Sequence, residues 1–149
     1  MSFQILLSLL IITATIFIHG FGTAWLLKYL VGKYSIHAQA LGLQKSMRIL
    51  SLTAVFLMVL HFLEIAIWAT VYLLIPELDK LSTWEEAIYF SMVTFTTLGY
   101  GDLTLPPIWR IMSGFEAMNG ILMFGWSTAM FYAVVQKIIT LSNQKQVSD

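Results

Sequence analysis

The sequence predicts an all-α membrane protein: three spanning helices, a short fourth helix that cannot span, and a glycine-containing loop after it. Three observations lead there. The 149-residue chain is 58% hydrophobic and only 11% charged, with a mean hydropathy of +0.81, the balance of a membrane domain. Residues 3–27, 49–75 and 108–139 form apolar runs longer than the roughly 20 residues needed to cross about 30 Å of hydrocarbon. Between the second and third runs lies a shorter amphipathic stretch, Trp84 to Phe95, headed by Ser82-Thr83.

Several function classes drop out at once. Formal net charge is zero, so no bulk attraction to nucleic acid is expected. The absence of cysteine excludes disulfides and thiolate metal sites. His19, His37 and His61 are scattered too widely along the chain for a metal-ligand pattern, and no cofactor is implied.

Residues 1–28 are read as a retained helix. A cleaved leader would need a basic start and a shorter apolar core. The segment has no arginine series, so it is no charged voltage sensor. Residues 29–47 form a polar, partly helical connector carrying Lys28 at its edge, then Lys33 and Lys45, with Arg48 just beyond. The link before the third helix carries Glu77, Asp79, Glu85, Glu86 and Asp102 against Lys80. The positive-inside rule puts the first link in the cytoplasm and the second outside. The N-terminus is then outside and the C-terminus cytoplasmic, in an integral protein of the cell (plasma) membrane.

Pro76 closes the second helix. Thr83 with Glu86 three residues on is a capping-box signature, so a helix over Trp84 to Phe95 is expected. It is too short to span, which makes it re-entrant. Irregular backbone at membrane depth is tolerated only inside protein or beside water, so the loop after it must be buried in an assembly. Pro106-Pro107 are expected to open the third helix, where a missing N–H costs little. Residues 140–149 form a short polar tail, too small for a ligand-binding domain.

The loop reads Thr96-Thr97-Leu98-Gly99-Tyr100-Gly101-Asp102. Glycine tolerates backbone angles other residues resist, so alternate carbonyls can turn to one side. A ring of such carbonyls can replace the water shell of potassium. With the helices around it, residues 47–136 resemble the pore module of tetrameric potassium channels, and the extra first helix resembles that of small three-helix bacterial members.

The resemblance implies a homotetramer in the lipid bilayer, with residues 48–139 as pore domain: outer helix, pore helix, selectivity filter, inner helix. It implies K+ bound by Thr97, Leu98, Gly99 and Tyr100, with Gly101 ending the filter. Tyr89, Phe90, Thr96 and Asp102 would support it, the Tyr89 hydroxyl holding Asp102. Leu98 departs from the usual valine. Val93 stands where some members carry a buried glutamate, so that brace is missing.

The third helix contains Gly114, Gly120 and Gly125. Gly120 falls at the family's hinge position, and close packing explains it equally well. Ile121, Phe124 and Thr128 share one helical face, which the resemblance assigns to a water-filled cavity. Asn119 points nearly opposite that face and Glu116 to one side, so both should meet neighbouring helices. His61 and Glu64 sit one turn apart on the second helix, with Trp68 on the same face. At about 1.5 Å per residue, Glu64 and Glu116 lie at similar depth, about 16 and 12 Å from the outer ends. Ionisable groups in a membrane are functional candidates. Three readings stay open for His61, Glu64, Glu116 and Asn119: a structural lock, a proton-sensitive gate, or a cation-access role. His19, beside Gly20 and Gly22, reads as an interface histidine. Trp25, Trp68, Trp84 and Trp109 read as interfacial anchors.

The functional expectation is passive, potassium-selective conduction, not an enzyme. The alternatives are a weakly selective cation channel, because of Leu98, or a membrane subunit of an ion transporter. A single loop with an intact Gly-Tyr-Gly argues against the transporter subunit. It argues equally against a non-conducting regulatory subunit.

Overall fold

The computed structural model describes residues 1–34 and 42–143. Every regular element among them is helical: α1 (Ser2–Tyr34), α2 (Leu43–Leu73), a 3-10 turn (Asp79–Leu81), α3 (Trp84–Phe95) and α4 (Arg110–Asn143). Three of these, α1, α2 and α4, are long and apolar enough to cross a membrane, which supports integration into a bilayer.

The spanning helices differ from expectation at their ends. Helix α1 runs to Tyr34 and α2 begins at Leu43, so both extend into the expected 29–47 connector. Residues 28–34 contain no proline, and Trp25 stacks on Tyr29 with centroids 5.9 Å apart, holding the last turns together. At the other side Gly42, extended at φ −62° and ψ 155°, is the N-cap of α2. The rest of the connector, and the tail after residue 143, lie outside the described residues. Helix α2 stops at Leu73, ahead of Ile75 and Pro76, as expected where a proline disfavours helix in the residue before it. The prolines at 106 and 107 do not open α4. The Pro106 carbonyl accepts from Trp109 and Arg110 N–H at 2.9 and 3.0 Å, so they form a turn and the helix starts at Arg110.

Helix α3 packs on α2 and α4, and α1 lies against α2 and α4. The buried apolar residues fall into two clusters. One joins Ile11, Ile65, Trp68, Tyr72, Phe95 and Met123 among others. The second joins Leu26, Leu57, Leu60, Met130 and Val134. On each long helix the two clusters are separated by a buried polar position: His19 on α1, His61 and Glu64 on α2, Ser127 on α4. Apolar side chains such as Phe17, Met58 and Phe62 face outward, as lipid contact requires. Trp25 and Trp84 are exposed, as anchors would be. Trp68 and Trp109 are buried in the first cluster, so they are core residues and not interfacial anchors.

Candidate functional site

Helix α3 begins where its cap dictates. Glu86 N–H donates to the Thr83 hydroxyl at 3.2 Å, and Thr83 N–H donates back to the Glu86 carboxylate at 3.1 Å. Thr83 also holds the Glu86 carboxyl below its ordinary range, chiefly through its hydroxyl.

The other end of α3 runs into the Gly-Tyr-Gly loop. The N–H groups of Leu98 and Gly99 turn back to the Val93 carbonyl at 2.9 and 3.1 Å, and that of Thr97 to Thr94 at 2.9 Å. Three alternate residues have left-handed backbone: Thr97 at φ 61°, Gly99 at 57° and Gly101 at 78°. For two of them glycine removes the cost. Thr97 is β-branched, a residue for which positive φ is an outlier costing of order 1–3 kcal/mol. Among the described residues no hydrogen bond is accepted by the carbonyls of residues 97–101. Leu98 and Tyr100 are 56% and 66% exposed.

At the loop's far end the Tyr89 hydroxyl donates to Asp102 at 2.6 Å. That bond holds the Asp102 carboxyl below its ordinary range and the tyrosine above its own. Phe90 is buried against Tyr72. Between the loop and α4 lies a cavity of about 360 Å³, bordered by Tyr89, Val93, Thr97, Asp102 and Gly114.

Gly120 meets the end of α3 directly. A Cβ there would overlap the Phe95 carbonyl, so close backbone approach requires this glycine. Ile121, Phe124 and Thr128 all lie exposed on α4, and the Phe124 ring rests on His61 at 4.7 Å.

All four members of the expected polar network are buried, but they do not form one network. Glu116 accepts from the Tyr72 hydroxyl at 2.7 Å and pairs with Ser91. Asn119 pairs with Thr15 of α1 at 2.9 Å. Glu64 instead meets His61 at 3.2 Å and His19 at 2.8 Å. Glu116 reaches Tyr72, eight residues outward of Glu64 on α2, while its other partner, Ser91, donates to the Ile65 carbonyl beside Glu64 at 3.0 Å. The helix that carries Glu116 starts later than expected.

Sequence reasoning missed two partners. His19 is an interface residue, as expected, but it bonds Glu64. Ser127 Oγ lies 3.2 Å from His19 Nε2 and 2.9 Å from His61 Nε2. The ligand-capable atoms of His19, His61 and Glu64 lie within 4.8 Å of one another, which corrects the expectation of scattered histidines for His19 and His61; His37 lies outside the described residues. For the clustered residues the signal in the sequence was polarity inside apolar spans, which is costly there.

A protein-family model described as ion channel matches residues 49–137, more than half of the chain. No curated protein and no solved structure matches.

Proposed function

The chain belongs to this ion-channel family, and from that premise we propose that it is a homotetrameric potassium-selective channel. Family membership makes it a transport protein and not an enzyme. In this reading α2, α3 and α4 are outer helix, re-entrant pore helix and inner helix. Thr97, Leu98, Gly99 and Tyr100 bind K+, Gly101 ends the filter, and α1 stands outside the pore domain. Tyr89, Phe90, Thr96 and Asp102 brace the filter, and Ile121, Phe124 and Thr128 line the cavity. The acidic link between α2 and α4 faces outside and the basic one the cytoplasm of a cell-membrane protein.

One observation carries the reading. Left-handed backbone recurs at residues 97, 99 and 101, while three successive N–H groups fold back onto α3. That alternation frees a file of carbonyls without hydrogen-bond partners. Orphan carbonyls at membrane depth are costly unless something replaces water, and a cation does so. The carbonyl end of α3 adds a favourable potential for a cation.

Reconstitution in bilayers under opposed potassium and sodium gradients tests it. The expected reversal potential lies near that of potassium. Equal permeation of the two ions would replace the reading with a weakly selective cation channel, for which Leu98 is the motivating departure.

A further inference from the structure

The ring of His19, Glu64, His61 and Ser127 plays no part in the proposed ion path. Each histidine uses both nitrogens. The Nδ1 atoms face Glu64 at 2.8 and 3.2 Å, and the Nε2 atoms face Ser127 Oγ at 3.2 and 2.9 Å. Four hydrogen bonds need four protons. Two neutral imidazoles supply one each, Ser127 supplies one, and an ionised Glu64 supplies none. The ring is one short. The fourth proton can sit as a second N–H on one imidazole. It can equally sit on Glu64 with one imidazole tautomer reversed. Both arrangements complete all four bonds and leave the ring with zero net charge.

We propose that this ring is a binding site for one proton, which fastens α1 to α2 and α4. The surroundings favour a neutral ring. Apolar clusters lie on both sides of it along every long helix, and charge in such a layer is costly. Without the fourth proton the ring carries a net negative charge and one unmade bond. A divalent metal on the same atoms would leave one net positive charge. No other charged group answers it among the described residues. Helix α1 contributes His19 and α2 contributes His61 and Glu64. Helix α3 presents Phe95, and α4 presents Ser127, Phe124 and Trp126. Glu116 of α4 is engaged by Tyr72 and Ser91. His61 is the least buried of the three ionisable groups and lies beneath the Phe124 ring. The proposal does not rest on potassium selectivity.

The sign follows from the count. Where opening the helices admits water and leaves Glu64 ionised beside two neutral histidines, the closed ring holds one proton more than the opened helices. Closure must therefore weaken as pH rises, by up to about tenfold in equilibrium constant per pH unit. Glu64→Gln is the discriminating variant. Its amide accepts from one Nδ1–H and donates to the other Nδ1, so two neutral histidines and Ser127 complete all four bonds with no added proton.

Thermal unfolding of the full chain in nanodiscs between pH 6.5 and 9 should show wild-type stability falling with pH and Glu64→Gln nearly flat. A flat wild type, or the same slope in both proteins, would overturn the proposal. If Glu64→Gln does not assemble, nitrogen-15 NMR and infrared spectra of wild type at pH 7.5 decide. One doubly protonated imidazole or one carboxylic acid in the ring supports the site. Two singly protonated rings beside an ionised Glu64 refute it. Stoichiometric zinc retained through purification, or zinc stabilisation abolished by Glu64→Gln, would instead make it a metal site.

Discussion

At the residue scale, legibility depended on whether the reason for a residue was local. The Gly-Tyr-Gly loop was legible because glycine at alternate positions announces unusual backbone angles. The left-handed Thr97 was not, since nothing about threonine signals positive φ. His61 and Glu64 were placed on one face by their spacing. Their partners His19 and Ser127 lie on other helices, and periodicity tells which way a helix faces but not what it meets. Gly120 shows the same limit: the hinge and packing readings stood level, and the Phe95 carbonyl beside it favours packing. Gly120→Ala should force α3 and α4 apart, since backbone cannot rotate away as a side chain can. Overpacking of this kind costs about 1–3 kcal/mol, so a lowered unfolding midpoint is expected together with reduced current. Altered gating at unchanged stability would restore the hinge.

At the element scale, helix starts governed by side chains were legible and those governed by packing were not. Helix α3 lies where Thr83 and Glu86 predict it, Trp84–Phe95, because a capping box is a short-range reciprocal bond. The ends of α1, α2 and α4 moved because hydropathy marks where a helix enters lipid, not where its hydrogen bonds stop. The prolines at 106 and 107 were misread for a related reason: a proline that can open a helix can also make the turn before it. Thr83→Ala should remove the cap and cost about 1 kcal/mol, seen as earlier amide exchange in α3. The pH dependence has a definite sign. Glu86 is held below its ordinary range, so its contribution is present above the usual carboxylate value and fades as pH falls through the lowered one. Thr83→Ala should flatten that acid-side loss, which a pH series of exchange rates would reveal.

At the scale of the whole molecule, a single chain leaves the proposed site incomplete. The carbonyls of residues 97–101 accept no hydrogen bond among the described residues, and Tyr100 and Ile121 stand 66% and 62% exposed. One loop cannot surround an ion, whereas four copies about an axis can, each contributing the same backbone. Heterologous contacts that close into a ring meet this need without a second kind of subunit. The polar pairs within one chain serve a different end. Asn119 with Thr15, and Glu64 with His19, tie α1 to the chain's own α4 and α2, so α1 need not be borrowed from a neighbour to be satisfied. In a membrane, where apolar contact alone drives little association, such pairs give each subunit its internal order before the ring closes. The purified protein should therefore appear as a tetramer by native mass measurement in detergent, and single-chain helix packing should survive if the tetramer is dissociated mildly. A stable dimer or monomer as the conducting species would break the link between the loop geometry and the ring, because no smaller closed ring presents four loops to one ion.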